Sequence, residues 1–217
     1  MILSAGRGER MRPLTDATPK ALLRVGAKPL IEYHLEALAA AGIKDVVINL
    51  AWLGQQLRAS LGNGSRYGLA IEYSDEGETA LETGGGIAHA LALLGQQPFW
   101  VVNGDVHTDY SFTDNRLADA DLGRLVLVPN PEHNPAGDFG LQAQRVVNVA
   151  DQMYTYSGIG LFRPELFTDC GEGAFSLAPI LRATADRDAL AGELYEDLWI
   201  DVGTPARLAE VEKIRAR

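Results

Sequence analysis

The chain has 217 residues, 47% apolar and 22% charged, with a single cysteine and a net charge of −10 at neutral pH. Those values exclude a disordered or fibrous chain, a disulfide framework or cysteine-based zinc site, and a protein that coats nucleic acid or anionic lipid. No apolar run approaches the roughly 18 residues of a membrane helix, and the N-terminus lacks the charged-then-apolar order of a secretory leader. The expectation is a cytoplasmic protein with no membrane and no nucleic-acid partner.

In chain order, Met1–Ala5 reads as a buried strand running into a loop. Leu30–Ala41 reads as a helix: Pro29 starts it, Ile31, Leu35 and Leu38 share a face, and Gly42 ends it. Asp45–Leu50 is a β-branched strand, Leu53–Leu61 a helix ended by Gly62-Asn63-Gly64, and Leu69–Tyr73 a strand. Ile87–Leu94 is a helix opened by Gly84-Gly85-Gly86, and Phe99–Asn103 is a buried strand that stops at Gly104-Asp105. Leu125–Val128 is again a strand. Pro129–Pro135 is a rigid polar loop with three prolines. Short pieces around Phe139–Leu141, Arg145–Val147 and Ser157–Phe162 read as hairpin or mixed-sheet additions, and Phe175–Thr184 and Pro205–Ile214 as helices.

This alternation predicts an α/β protein: a Rossmann-like mixed, mostly parallel central sheet with helices on both faces. No linker composition or repeat divides it, so a single domain over residues 1–217 is expected. Ligands of such sheets sit beyond the carboxyl ends of strands, which marks the segments after Ala5, Tyr73 and Asn103.

The first of these segments is also where the cations gather. Residues 1–28 carry Arg7, Arg10, Arg12, Lys20, Arg24 and Lys28 against Glu9 and Asp16, a net of +4 in a chain whose remainder is −14. A solvated basic surface and a small, highly anionic ligand both suit such an island. Gly6 and Gly8 after a first strand suit backbone N–H groups laid against phosphate. The dinucleotide fingerprint needs glycine where Met11 stands, Pro13 and Pro19 forbid its long helix, and the P-loop pattern is absent. Side chains must therefore neutralise any phosphate there, and a tight turn with surface arginines is the alternative.

The stretches Gly6-Arg7-Gly8-Glu9-Arg10-Met11-Arg12-Pro13-Leu14-Thr15, Thr18-Pro19-Lys20 and Lys28-Pro29-Leu30-Ile31 resemble the signature of the sugar-1-phosphate nucleotidyltransferases, and the likeness extends along nearly the whole chain. The resemblance implies joining of a nucleoside triphosphate to a sugar 1-phosphate with loss of pyrophosphate, a reaction of positioning and charge neutralisation. It implies Arg10 and Lys20 as catalytic cations, with Arg7 and Arg12 as helpers. Asp105, in Asn103-Gly104-Asp105, and Asp201, in Trp199-Ile200-Asp201-Val202-Gly203-Thr204-Pro205, match its magnesium ligands; without the family, Asp201 reads as part of a helix-capping turn. Ala5, Gly6, Arg7, Gly8, Glu82, Thr83, Gly84, Gly85 and Asn103 would bind the nucleotide, and Asp138, Ser157 and Gly158 would face the sugar phosphate. The lysine that family members often use there is missing, since Arg145 is the only cation between Arg124 and Arg163. His107 reads as a loop residue rather than a metal ligand.

The chain stops after the helix that follows Asp201, so no C-terminal β-helix domain is expected, and a monomer or small homo-oligomer is. The Leu81–Gly86 and Asn103–Val106 segments resemble members that use UTP and N-acetylmuramic acid 1-phosphate in cell-wall recycling. Mannose- or heptose-1-phosphate guanylyltransferases are the alternative. A reading of another class, an inactive nucleotide-sugar-binding regulator, should have lost charged positions that Arg10, Lys20, Asp105 and Asp201 retain.

Overall fold

A computed structural model describes residues 1–215. In chain order it contains β1 (Ile2–Leu3), β2 (Arg24–Val25), β3 (Lys28–Pro29), α1 (Leu30–Ala40), β4 (Asp45–Leu50), α2 (Gly54–Leu61), β5 (Ala70–Asp75), α3 (Glu82–Leu94), β6 (Phe99–Asn103) and β7 (Val106–Thr108). There follow β8 (Gly123–Val128), β9 (Phe139–Gln142), β10 (Arg145–Val147), β11 (Met153–Phe162), α4 (Ala178–Asp186), β12 (Leu190–Leu194), β13 (Trp199–Asp201) and α5 (Pro205–Arg215).

One nine-stranded sheet runs through both halves in the order β5-β4-β1-β6-β11-β8-β12-β10-β9. The strands from the first half pair in parallel, and only β11 and β10 run against the rest. The period-2 alternation of strand side chains divides the core. Ile48, Val102 and Val126 meet α1 and α2 through Leu35, Leu38 and Leu57. Their neighbours Val47, Val101 and Leu125 meet α3 and α4 through Ile87, Ala90 and Leu181. Burial on both faces explains why these strands are apolar throughout. A smaller cluster of Met11, Val25, Leu30, Val202 and Val211 seats α5 under the N-terminal loop.

Two expectations need correction. The triple glycine does not precede α3; it lies inside its first two turns, because a Cβ on Gly84 would stand 2.6 Å from the Phe175 ring and one on Gly85 2.2 Å from the Gly173 carbonyl oxygen. Phe175, expected in the next helix, precedes α4 and caps α3 instead: its carbonyl accepts the N–H groups of Gly84 (3.0 Å) and Gly85 (3.1 Å). Two of the first four backbone donors of α3, those of Gly84 and Gly85, are thus consumed internally.

Candidate active site

β1 and β6 are parallel neighbours, so the loops at their carboxyl ends emerge side by side. Gly104 makes this possible. Its N–H donates to the Leu3 carbonyl at 2.8 Å, and a Cβ there would lie 2.7 Å from both that oxygen and the Ser4 hydroxyl. Between the loops opens a cleft of about 220 Å³. Its walls bring together Ala5, Gly6, Lys20, Glu82, Thr83, Asn103 and Asp105. These residues span a hundred positions, and all seven are predicted site residues.

At the floor, Lys20 Nζ meets Asp105 Oδ2 at 2.6 Å, with the lysine side chain only 12% exposed. Lys20 opens a one-turn helix, Lys20–Leu22, directly after Pro19, which fixes the approach of the chain. Asp201 arrives from β13. Strand β7, which the sequence reading leaves as loop, pairs with β13 so that Val106 faces Asp201, and the Val202 N–H donates to the Asp105 carbonyl at 2.8 Å. This two-stranded ladder, not a helix cap, places the two aspartates on adjacent backbone.

The two oxygens of Asp201 have different surroundings. Oδ2 lies 3.1 Å from Arg207 and 3.4 Å from His133. Oδ1 is buried and has no hydrogen-bond partner among the described residues. A Cβ on Gly203 would stand 2.4 Å from Arg207 Nη2, 2.9 Å from Asp201 Oδ1 and 3.1 Å from Arg10 Nη2. Glycine at 203 therefore lets two guanidinium groups converge beside one carboxylate. Arg207 and His133 are functional candidates that the sequence reading missed. The signal for His133 was the triple-proline loop, which Asn130 and Asn134 pin to β11 through Met153 and Thr155.

Other predicted residues take different roles. Arg7 lies 4.3 Å over the Trp52 ring, outside the cleft. Gly8, at φ 67°, turns the loop, and its carbonyl accepts the Thr15 hydroxyl at 2.8 Å. Gly84 and Gly85 pack against residues 173–175 and do not line the cleft. The three residues expected to face the sugar all lie on or against β11. Asp138 accepts the Tyr156 N–H at 2.8 Å. Ser157 is fully buried and donates to the Val126 carbonyl at 2.7 Å, at a register shift between Tyr156 and Ile159. Gly158, at φ 77°, leaves room for the Asn103 side chain, which would stand 2.4 Å from a Cβ there. Arg145 is committed to Asp121 and Asp188, at 2.6 and 2.8 Å, so it is not the missing phosphate cation.

His107 belongs to β7, fully buried, and its Nε2 accepts from Arg215 at 2.9 Å. Burial lowers its pKa to about 4, with the Arg215 charge acting in the same direction. It is a neutral core histidine behind the aspartates.

A family model described as nucleotidyl transferase matches residues 1–216. The chain is 50% identical to an N-acetylmuramate alpha-1-phosphate uridylyltransferase of Neisseria meningitidis serogroup B, over 99% of this chain and 96% of the relative. It is 38% identical to a protein of the same name from Caulobacter vibrioides, over 97% of this chain and 96% of that relative. Among solved structures, HddC from Yersinia pseudotuberculosis, complexed with GMP-PN, shares the fold at a TM-score of 0.79 and 17% identity, covering 99% of this chain and 97% of that one.

Proposed function

The chain belongs to the nucleotidyl transferase family, and from that premise we propose that it joins UTP to N-acetylmuramic acid α-1-phosphate with release of pyrophosphate, a step of cell-wall recycling. The observation that carries the substrate assignment is the 50% identity, end to end, with a relative whose name states that activity.

In this reading a sugar-phosphate oxygen bonds to the α-phosphorus of UTP, the bond from that phosphorus to the bridging oxygen breaks, and pyrophosphate leaves. Lys20, a compact point charge at the cleft floor, holds the α-phosphate and the incoming phosphate together. Arg10, beside Gly203, neutralises charge that develops on the leaving pyrophosphate. Ala5, Gly6, Glu82, Thr83 and Asn103 line the nucleotide side.

Asp105 and Asp201 would hold a magnesium ion. The unpartnered, buried Oδ1 of Asp201 is the kind of donor this hard cation takes, usually as one or two carboxylates plus phosphate oxygens. When bound, the ion supplies positive charge to the phosphates. Arg207 and His133 hold the other oxygen of Asp201, an orienting role of the sort outer residues play at metal sites.

The test is pyrophosphate release, with magnesium, across four nucleoside triphosphates and a panel of sugar 1-phosphates. UTP with the muramic sugar is expected to be the best pair. Turnover with GTP and mannose 1-phosphate, and none with UTP, would overturn the assignment.

A further inference from the structure

Asn49 is a polar residue in the otherwise apolar run Val46–Leu50, near the carboxyl end of β4, 2% exposed and used by no step above. Its Oδ1 accepts the Ser4 N–H at 2.6 Å, and its Nδ2 donates to Glu76 Oε1 at 2.7 Å. Glu76 Oε2 in turn accepts the Leu81 N–H at 2.7 Å, directly before α3. The amide orientation is fixed by its neighbours: an N–H on one side demands oxygen, and a carboxylate on the other demands nitrogen. Gly86 completes the arrangement, since a Cβ there would stand 2.6 Å from Glu76 Oε1 and 3.0 Å from Asn49 Nδ2. Three segments are thereby tied together through two side chains: Asn49 holds the β1 loop at Ser4 and the turn after β5 at Glu76, and Glu76 holds the start of α3, with Glu82 and Thr83, at Leu81. Ser4, Asn49, Glu82 and Thr83 all line the cleft; Glu76 does not.

We propose that Asn49 and Glu76 are a positioning pair that sets the spacing between the first loop and the start of α3, and so governs nucleotide affinity and selectivity through a carboxylate that does not line the cleft. This rests on the reading that the nucleotide occupies that wall. Two of the three bonds are charge-assisted by the Glu76 carboxylate, and all three are partly shielded from water, so breaking one leaves a shielded polar group without its partner.

The hydrogen-bond polarity supplies the test. Asn49→Asp sets two carboxylates against each other. Glu76→Gln leaves one acceptor for two donors. The double change restores every bond and reverses only the one between the two side chains: the carboxylate then at position 49 accepts from Ser4 and from the amide then at position 76, whose oxygen accepts from Leu81.

KM for UTP, KM for the sugar phosphate, kcat and melting temperature are to be measured for both singles and the double. The expected result is a rise of about tenfold in KM for UTP in each single variant, with the sugar-phosphate KM unchanged, and recovery to within about threefold in the double. Gly86→Ala, which displaces Glu76 without changing a charge, should reproduce the single-variant pattern if Asn49→Asp fails to fold. A fall in melting temperature with both KM values intact, an equal rise in both, or a double no better than its parts overturns the pair. A parent protein that binds no nucleoside triphosphate on direct titration overturns the functional reading and this inference with it; a parent and an Asn49→Asp variant that bind UTP equally overturn the inference alone.

Discussion

The two sides of the cleft are built on different physics. The floor is charged: Lys20 and Asp105 meet there, and the β7–β13 ladder sets Asp201, with Arg207 on one of its oxygens, on backbone adjacent to Asp105. The opposite wall is held by the hydrogen bonds of Asn49 and Glu76 and by close packing at Gly84, Gly85 and Gly86. Charges confined near a cleft floor act on reacting phosphates, and their effect grows as water is excluded. A braced wall instead fixes where a ligand lies. Changes at the floor should therefore fall on kcat, and changes at the wall on KM.

The largest effect expected follows directly. Asp105→Asn keeps the shape of a side chain one third exposed and removes its charge. A loss of about a thousandfold or more in kcat is expected, with the melting temperature nearly unchanged. Lys20→Met should cost about a hundredfold. Because the two groups touch at 2.6 Å, the double variant should lose much less than the product of the two effects. Steady-state kinetics at saturating substrates checks this. A normal kcat in Asp105→Asn, with only KM raised, would erase the contrast between floor and wall.

The wall and the floor also differed in how far the sequence disclosed them. Asp45–Leu50 and Phe99–Asn103 form strands over the predicted bounds, because runs buried on both faces leave an uninterrupted apolar signal. Strands β7, β12 and β13 gave no such signal. They are three to five residues long and carry His107, Glu193 and Asp201, so pairing with distant chain, not local propensity, makes them strands. Helix α3 began earlier than expected for the same reason: glycine disfavours a helix locally, yet Phe175 and Gly173 pack where side chains would otherwise stand. Lys20 and Asp105 lie 85 residues apart; the basic island and the end of the Phe99–Asn103 strand marked their neighbourhoods, and only the family signature gave them roles in one site. Arg207 and His133 stayed hidden because their role exists only through Asp201.

Behind the charged floor lies a neutral layer, and pH separates the two. His34, on α1, is 2% exposed and hydrogen-bonds to the Val106 backbone. Burial lowers its pKa to about 4, against the smaller opposing effects of that bond and of the Asp105 charge. Above the unfolded value of about 6.5 both states are neutral, and the group adds no pH dependence. Between 6.5 and about 4 the unfolded chain takes up a proton that the folded one refuses, so stability falls as pH falls, by about 1.4 kcal/mol per pH unit. Urea unfolding at pH 7 and pH 5 should show parent stability falling by about 2 kcal/mol more than that of His34→Gln. Equal losses in the two proteins would mean that the layer behind the floor is not kept neutral.

Arg7 should give the smallest effect, and it tests whether the floor's charge extends beyond the groups already gathered there. It belongs to the same basic island as Arg10 and Lys20, yet it is exposed and lies 4.3 Å over Trp52. Trp52 is itself tied to the first loop by a 3.1 Å bond to the Thr15 carbonyl. An exposed cation–π contact contributes roughly 0.5–1 kcal/mol, so Arg7→Ala should loosen the loop slightly. A change within about threefold in kcat/KM for UTP is the corresponding expectation. Arg10→Ala, measured alongside, should cost far more, because its guanidinium already stands beside Asp201 and Gly203. A loss of a hundredfold or more in Arg7→Ala would show that this arginine leaves Trp52 and joins the triphosphate, making the basic island a moving part of the site rather than a fixed one.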